Sequence, residues 1–487
     1  MKLNGIAQSF ENKIIFVTGS TGFLSKLFVE KLLRVQPNVK HLFLLLRAAD
    51  ASSPTQRLNK DVTGKELFRV LRNKHGVGFQ SFISKKVTPI FGDVSLENLG
   101  ITHPDLETKM HKNINIVVNF AATTNFIERY DVALAVNTMG AKHVLDFAEK
   151  CENLEIVLHV STAFVCTGET TPGVILEKPL CKTLKESSNF LKIIHEEKKL
   201  IQCRLDKLKS EQVSKKEETA ALKELGLERA KLYGWTNAYS FTKALGEIIL
   251  GGRLKRNFPL IIVRPTAVTG TYKEPFPGWI EGFKTIDPMV ISVGRGKLPC
   301  FLGDSESFSD IIPGDMVVNA IIVAIVYAKT NFRIYSDGDN NIIYHIGSSA
   351  HREPTRMVKL LEYAYDYFSK NPLIGGDIDE IVKPVYFPTM SSFQRHIYNN
   401  YVVSMKEQKV RSAKRLAEIY EPFVLFKGTF STSAVDQLRG WTKKLGDAEL
   451  FDFNPEHIEW KDYMMNIHIP GLVKYVVKPQ VGHISKL

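Results

Sequence analysis

Near the start of the 487-residue chain stands the stretch Lys13-Ile14-Ile15-Phe16-Val17-Thr18-Gly19-Ser20-Thr21-Gly22-Phe23-Leu24-Ser25-Lys26. An apolar run, typical of a buried parallel strand, leads into the glycines, and a helical pattern continues to Arg34. A strand, a glycine turn and a helix in this order predict a dinucleotide-binding unit. Gly19 permits the tight turn, and Gly22 lets the backbone approach a pyrophosphate at the helix N-terminus. Ser25 takes the third glycine position and is still small enough for close helix packing.

Similar apolar runs, separated by helical patterns, recur along the next 240 or so residues. They are expected to be strands at His41–Leu46, Lys86–Phe91, Asn115–Phe120, Glu155–Val160 and Leu260–Val263, with a further short strand at 342–347. Alternating strands and helices predict an α/β fold built on a doubly wound, Rossmann-type parallel sheet. Ile311 to Ala328 is the longest apolar run and is expected to be a buried helix, so no transmembrane span is predicted.

Two regions depart from this alternation. From about residue 355 the chain turns helical and rich in aromatic residues, so we expect a catalytic domain at 1–354 and a smaller, mainly helical domain at 355–487. A charged insertion occupies about 170–232, and Glu and Lys recur at helical spacing from Lys192 to Glu228. This pattern favours a solvated helical hairpin, with a lid or a basic edge for a polyphosphate ligand as the alternative.

The amino-acid composition limits the classes of ligand and binding partner that the chain can have. The net charge of +12 suits nucleic acid, an anionic membrane or a phosphorylated ligand, but no nucleic-acid motif supports the first of these. The 5 cysteines lack metal-ligand spacing and fit a reducing compartment, so no metal site is expected. Residues 1–13 have no signal-peptide pattern, and a strand starting at Ile14 leaves no room for a transit peptide.

The ends of the second, third and fourth strands carry residues suited to a cofactor. Arg47 stands where an NAD site usually has an acid, and its guanidinium pairs well with a 2′-phosphate, which favours NADP(H). Asp50 nearby keeps NAD open. Asp93 can accept a hydrogen bond from the adenine amino group. Ala121 and Ala122 are small, as needed where the backbone meets the cofactor.

Tyr239 and Lys243 lie four residues apart in a helical pattern, so both project from one side of the helix. An ammonium beside a phenol lowers the phenol pKa from ~10, which makes the tyrosine a usable general acid. Ser161 and Thr162 follow the fifth strand, at the edge where open α/β sheets bind ligands, and their hydroxyls are the expected partners. The alternatives are an accidental spacing and simple capping of a strand end.

Together these pieces resemble the extended short-chain dehydrogenase/reductases, and more closely the plant-type alcohol-forming fatty acyl-CoA reductases with a male-sterility-type C-terminal domain. The tail segments matter most, because generic reductases of this superfamily lack them. The resembling segments are Thr18–Lys26, Asn119–Asp131, His159–Val165, Tyr239–Lys243, Pro277–Gly282, Tyr420-Glu421-Pro422-Phe423 and Asn466-Ile467-His468-Ile469-Pro470-Gly471.

The resemblance implies residue roles by position. Tyr239 and Lys243 are the expected catalytic pair, with Thr162 as the hydroxyl member and Ser161 as its less favoured neighbour. Phe164 stands where relatives often have Tyr, and Asn454 where Asp is usual. The expected NADPH contacts are Thr18, Gly19, Thr21, Gly22, Phe23, Leu24, Arg47, Asp93, Val94, Ala121, Ala122, Lys243, Pro265 and Thr266.

The implied reaction is reduction of a long-chain fatty acyl-CoA to a primary alcohol and coenzyme A, by two hydride transfers from NADPH through an aldehyde. The resemblance also implies a role in wax, suberin or related lipid synthesis. It places the protein in the cytoplasm or peripherally on the cytosolic face of the endoplasmic reticulum. Two alternatives stay open: an NADP-dependent reductase or epimerase acting on a sugar nucleotide or ketone, and a non-catalytic binding protein that kept the fold.

Overall fold

The computed structural model of the chain describes residues 5–48, 53–166, 173–180, 184–252, 257–331, 341–349, 354–373, 380–401 and 407–477. The strands in these ranges are β1 Ile14–Thr18, β2 His41–Leu46, β3 Val87–Phe91, β4 Ile116–Asn119, β5 Ile156–Val160, β6 Val174–Ile175, β7 Leu260–Pro265, β8 Ala267–Thr269, β9 Cys300–Leu302, β10 Ile311–Pro313, β11 Asn341–Ile346, β12 Val385–Phe387 and β13 Thr429–Phe430.

The α-helices are α1 Phe23–Val35, α2 Pro54–Arg57, α3 Arg69–His75, α4 Phe79–Lys86, α5 Pro104–Asn113, α6 Tyr130–Ala133, α7 Gly140–Ala148, α8 Leu184–Ser210, α9 Lys215–Leu232, α10 Ala238–Gly251, α11 Asp287–Gly294, α12 Gly314–Asn331, α13 Met357–Lys370, α14 Met390–Tyr401, α15 Glu407–Val424, α16 Ser433–Leu445, α17 Trp460–Asp462 and α18 Ile469–Leu472. Short 3-10 or π segments connect several of them, including the π segment Leu134–Met139 between α6 and α7.

Seven parallel strands form the central sheet in the order β11-β7-β5-β4-β1-β2-β3. The order reverses between β1 and β4, so a crevice opens there at the carboxyl ends of the strands. Because helices cover both faces, alternate residues of one strand enter two separate cores: Ile15 and Val17 face the core with α1 and α12, whereas Ile14 and Phe16 face the core with α7. The predicted doubly wound sheet is confirmed.

The longest apolar run differs from its prediction at one end. Ile311–Pro313 is a strand paired in parallel with β8, and the helix begins only at Gly314. A proline disfavours helical backbone in the residue before it, which explains the extended start. The rest of the run is the buried helix that was expected. No helix among the described residues is long and apolar enough to cross a membrane.

The charged insertion forms the predicted hairpin, α8 and α9, but its inner face is not solvated. Ile194 and Ile201 of α8 join a buried cluster with residues of α10. Glu197 is fully buried and accepts hydrogen bonds from Arg229 Nε at 3.0 Å and from the Tyr130 hydroxyl at 2.8 Å. The hairpin therefore supports α10 from outside. A capping box between Ser214 and Glu217 starts α9.

The chain after residue 355 is mainly helical, as expected, and it packs into the same core as the sheet. Its buried residues, including Leu360 and Leu438, belong to the hydrophobic cluster that contains α1 and α12. Two short strands of this part pair with earlier ones, β12 with β9 and β13 with β6. Near the N-terminus, the Ile6 backbone N–H donates to Asp447 Oδ2 at 2.6 Å.

Candidate active site

At the base of the crevice between β1 and β4 lies a glycine that no other residue can replace. Gly19 has φ of +66°, and a Cβ there would lie 2.6 Å from the backbone nitrogen of Ala121. The loop after β1 therefore packs directly on the loop after β4. The Gly22 N–H bonds the Gly19 carbonyl at 2.8 Å, and α1 starts at once behind it. The free N–H groups of that helix terminus face the crevice, as a pyrophosphate site requires.

One cleft at this crevice collects eight of the predicted cofactor residues. They come from the loops after β1, β2, β3 and β4, and they are Gly19, Thr21, Gly22, Arg47, Asp93, Val94, Ala121 and Ala122. One oxygen of Asp93 already accepts from the backbone N–H and hydroxyl of Ser95, at 2.9 and 2.8 Å. That bond fixes the carboxylate and leaves Oδ2 for a ligand.

The six other predicted cofactor residues do not line this cleft, and Lys243, one of them, is described with the helix that carries it. Thr18 is fully buried and donates its hydroxyl to Asn119 Oδ1 at 2.6 Å. Phe23 and Leu24 lie in the first turn of α1, where the Phe23 ring stacks on Trp279 at 5.0 Å. Pro265 and Thr266 lie outside the cleft, at the end of β7. The Thr266 hydroxyl donates to Asp310 Oδ1 at 2.8 Å.

A basic depression adjoins the cleft beside Arg47. It is lined by Arg47, Ala48, Ser53, Gln56, Arg57, Lys60 and Asp61, so three cations face one acid. Arg57 lines both the cleft and the depression, and it donates to the Arg47 carbonyl. Asp50, on which the alternative of NAD rested, lies outside the described residues. Arg57 and Lys60 were missed from the sequence because a loop separates them from the end of β2.

The helix α10 carries Tyr239 and Lys243 to the carboxyl end of β5. Asn237 caps it by accepting the Ser240 N–H at 2.8 Å. Close packing fixes the helix on the other side of the pair: a Cβ at Gly246 would lie 2.6 Å from the Asn137 carbonyl oxygen. Since both contacts lie within two turns of the pair, the two functional side chains are held from either side.

The predicted tyrosine and threonine meet. The Thr162 side chain lies close enough to the Tyr239 hydroxyl to lower its pKa, and Thr162 Oγ1 accepts the Phe164 N–H at 3.3 Å. The hydroxyl oxygen of Ser161 is buried without a protein partner among the described residues. Burial raises the pKa of Tyr239 to about 12, although the nearby Thr162 opposes this shift. The expectation that Lys243 lowers the pKa of Tyr239 is not met here, because Lys243 Nζ contacts other groups.

Lys243 Nζ lies 2.7 Å from the Val160 carbonyl oxygen and 3.1 Å from His159 Nε2. Only 1% of its surface is exposed, and burial lowers its pKa to about 8. His159 Nδ1 in turn lies 3.0 Å from Asn119 Nδ2. His159 and Asn119 had no predicted role, but a polar residue within an apolar strand was the signal that could have singled them out.

Aromatic rings from the tail pack against Phe126, the ring next to Tyr239. We call Phe126, Phe164, Tyr420, Phe423 and Phe430 the aromatic cluster. Phe126 lies 5.8 Å from the Tyr239 ring and stacks on Phe423 at 4.9 Å, and Phe164 meets Phe423 edge-on at 5.0 Å. The tail motif at 420–423 thus packs on Phe126 and Phe164, and through Phe126 it makes the surroundings of the predicted catalytic tyrosine apolar.

The second tail motif packs on the predicted substrate loop. A Cβ at Gly471 would lie 1.9 Å from the Gly278 carbonyl oxygen, so the two segments touch backbone to backbone. His468 and Asp287, both fully buried, bond at 2.9 Å between Nε2 and Oδ1. This motif therefore serves to fix the loop after β8 and the start of α11 rather than to reach the reacting groups.

Comparison with known proteins gives the same answer along nearly the whole chain. Sequence profiles of the male sterility protein match residues 17–321, as an NAD-binding domain, and 398–479. The chain is 44% identical to probable fatty acyl-CoA reductase 5 of Arabidopsis thaliana, over 98% of this chain and 100% of that one. It is 42% identical to the alcohol-forming fatty acyl-CoA reductase of Simmondsia chinensis, over 98% and 99%. The chain belongs to the fatty acyl-CoA reductase family.

Solved structures support the fold of this fatty acyl-CoA reductase. The terminal R domain of the myxalamid biosynthetic pathway superposes with a TM-score of 0.58 at 15% identity, covering 95% of this chain and 91% of that one. The R domain of a nonribosomal peptide synthetase from Mycobacterium tuberculosis gives the same TM-score at 17% identity and the same coverage. With the NAD-binding profile on the sheet, the family member described here uses a nicotinamide cofactor.

Proposed function

We propose that this protein reduces long-chain fatty acyl-CoA to the primary alcohol with NADPH, using Thr162, Tyr239 and Lys243. The observation that carries the proposal is that Thr162 and Tyr239 lie close together, with Lys243 one turn along the same helix and Phe126 of the aromatic cluster packed on the tyrosine ring. Two hydroxyls at one point can hold a carbonyl oxygen, and apolar rings next to them can hold an alkyl chain. Both features are needed together for a fatty acyl substrate.

The residues have separate tasks in each of the two reductions. NADPH, bound in the cleft, supplies the hydride. Thr162 and Tyr239 donate hydrogen bonds to the carbonyl oxygen and stabilise the negative charge that develops on it. Tyr239 then gives its proton to that oxygen. The product of the first reduction, a hemithioacetal, loses coenzyme A as a thiol to leave the aldehyde. The second reduction yields the alcohol, so one acyl-CoA consumes two NADPH and two protons.

The choice of NADPH rests on the basic depression. Arg47, Arg57 and Lys60 present three positive charges at the end of β2, where the adenosine ribose of a dinucleotide lies in folds of this kind. An arginine can bind a phosphate through two parallel hydrogen bonds but cannot accept one from a ribose hydroxyl. We assign the remaining predicted contacts, including Lys243 at the nicotinamide end, to the same cofactor.

The tail is the second component of the substrate site in this proposal. Residues 355–487 are assigned to a substrate domain, because Tyr420, Phe423 and Phe430 supply three of the five rings of the aromatic cluster. A hydrophobic substrate also favours peripheral association of the enzyme with the cytosolic face of the endoplasmic reticulum. Exposed leucines on α8 and α9, among them Leu191 and Leu227, are a suitable contact. Fractionation of cells on density gradients tests this location.

Product analysis with a series of acyl-CoA chain lengths tests the activity. Purified protein with NADPH should form primary alcohol and free thiol, and alcohol should also form from added fatty aldehyde. A sugar nucleotide and a simple ketone serve as the competing substrates. Turnover of either of these without acyl-CoA reduction, or cofactor binding with no turnover at all, would refute the proposal.

A further inference from the structure

A row of polar side chains crosses three strands of the central sheet and ends on Lys243. The register places Thr18 opposite Asn119, and Asn119 opposite His159. None of the four side chains is more than 2% exposed. Their contacts run Thr18 to Asn119 at 2.6 Å, Asn119 to His159 at 3.0 Å and His159 to Lys243 at 3.1 Å. Buried groups in an apolar sheet must satisfy one another, so each bond needs one donor and one acceptor.

The backbone fixes the direction of this row. The Ala121 N–H, which can only donate, lies 3.1 Å from Asn119 Oδ1. That oxygen is therefore correctly placed, and it also accepts from the Thr18 hydroxyl. The amide nitrogen of Asn119 must then face His159 Nδ1, and a side-chain amide nitrogen is a donor only. His159 Nδ1 is consequently an acceptor and carries no proton.

The tautomer of His159 follows, and it limits Lys243. A neutral imidazole without a proton on Nδ1 has it on Nε2, which points at Lys243 Nζ. An N–H can donate to the lone pair of an amine, but it opposes an ammonium. The Val160 carbonyl oxygen, the other contact of Nζ, accepts a hydrogen bond from either the amine or the ammonium. Every donor in the row thus finds an acceptor only when Lys243 is neutral.

We propose that His159, oriented by Asn119, is a positioning residue that shifts the protonation equilibrium of Lys243 toward the neutral amine in the cofactor-free protein. Bound cofactor brings phosphates and ribose hydroxyls to this end of the sheet, and these favour the ammonium. At any pH above the pKa of free Lys243, binding therefore takes up one proton from solvent and places it on Lys243. This inference rests on the proposed function in assigning Lys243 to the cofactor.

The electrostatics agree with this geometry. Burial lowers the pKa of Lys243 to about 8, although the charge of Glu247 on the same helix opposes the shift. Burial and the nearby Lys243 hold the pKa of His159 well below its usual 6.5, so the ring stays neutral. Glu247 is itself neutralised by Arg264 at 2.6 Å.

Other charged or titratable groups reach α10 from the elements packed around it, and most are matched among themselves. On the side of α6, α8 and α9, Glu197 pairs with Arg229 and accepts the Tyr130 hydroxyl. On the side of α7, His143 Nδ1 lies 2.9 Å from the Val94 carbonyl, and Lys142 pairs with Asp146. Cys166 approaches from the turn at 163–166 and acts on Arg264. On its own helix Tyr239 faces Thr162. His159 is thus the titratable group in contact with Nζ among the described residues.

The test is the pH dependence of NADPH affinity, followed by cofactor fluorescence over a range that brackets pH 8. In the wild-type protein the affinity should fall as pH rises through the pKa of free Lys243. His159→Leu removes the N–H that opposes the ammonium, so the inflection should move up by about one to two pH units. His159→Gln retains an N–H at the Nε2 position and should keep the inflection near the wild-type value.

A second test variant and a matched control complete the experiment. Asn119→Asp turns a donor into an acceptor, which moves the proton to His159 Nδ1 and lets Nε2 accept from the ammonium, so it should also raise the inflection. His41→Leu is the matched control, because His41 lies on β2 with Nε2 2.7 Å from the Thr88 hydroxyl and away from α10. Its inflection should equal that of the wild type. Unfolding midpoints identify any variant that does not fold, and the remaining variants then decide.

An inflection unmoved in His159→Leu or Asn119→Asp overturns the inference, as does an equal shift in His159→Gln. Acyl-CoA reduction is measured separately in every protein. A wild-type protein that fails to reduce acyl-CoA but shows the shifts refutes the proposed function and keeps the role of His159. Normal acyl-CoA reduction with an unmoved inflection keeps the proposed function and refutes the role of His159.

Discussion

The cofactor cleft and the catalytic end of α10 are assembled in opposite ways. The cleft is built from loops that each follow a strand, all between Gly19 and Val136, and it presents backbone N–H groups and arginines. The catalytic end joins side chains from Asn119 to Phe430 and presents two hydroxyls beneath aromatic rings. The first region depends on strand order and loop sequence. The second depends on packing between segments that lie far apart in the chain.

This difference teaches where the two ligands of the reaction are recognised. Charge and open backbone suit a phosphorylated dinucleotide, whereas rings around a hydroxyl pair suit an acyl chain. The row from Thr18 to Lys243 connects the two regions. Substitutions in one region should therefore leave binding at the other nearly unchanged. Because residues after 355 share the core of the sheet, single substitutions test this separation more cleanly than removal of the tail.

The largest effect is expected from Tyr239→Phe. It keeps the ring beside Phe126 but removes the proton donor, so turnover should fall by ~10²–10⁴-fold while NADPH affinity stays near normal. Alcohol formation is measured separately from acyl-CoA and from fatty aldehyde with saturating NADPH. Both should fall alike, since both carbonyl oxygens use one pair of hydroxyls. Near-normal aldehyde reduction in this variant would require a second catalytic centre.

The next effect is expected from Arg47→Asp, at the other region. Loss of a charge-assisted contact should weaken NADPH binding by about 1–3 kcal/mol and NADH binding by much less. Dissociation constants for both cofactors measure the difference, and kcat with saturating NADPH should change little. Lys74→Asp, on α3 outside the cleft, is a control for the change of surface charge. Equal losses for the two cofactors would show that Arg47 does not read the 2′-phosphate.

The smallest effect is expected from Phe423→Leu, which keeps an apolar side chain but removes the stacked ring next to Phe126. An aromatic pair contributes about 0.5–1.5 kcal/mol beyond burial, so kcat/KM for acyl-CoA should fall by roughly 2- to 12-fold. NADPH affinity should not move. Tyr398→Ala is the control in the same tail, because that side chain is 67% exposed. Equal losses in Phe423→Leu and Tyr398→Ala would remove the aromatic cluster from the acyl site.

Local sequence alone determined the parallel sheet, the glycine turn and the pairing of Tyr239 with a hydroxyl after β5. Each of these is written in a short segment, because strand periodicity, glycine conformation and helical spacing act over few residues. The same reasoning selected eight residues of the cleft, since strand ends in a parallel sheet share one edge. It did not show that the hydroxyls of Thr18 and Thr266 bond other side chains, because the direction of a side chain depends on its neighbours.

Tertiary structure decided what lies beside those residues. Strand register set Asn119 and His159 in line with Lys243, and no local pattern records register between strands. The packing of α15 brought Phe423 onto Phe126, a contact between residues 297 positions apart in the chain. Burial, which depends on everything around a group, raised the pKa of Tyr239 where the spacing alone predicted a lower one. The local sequence therefore determines which side chains pair at Tyr239, and the whole fold determines their pKa values.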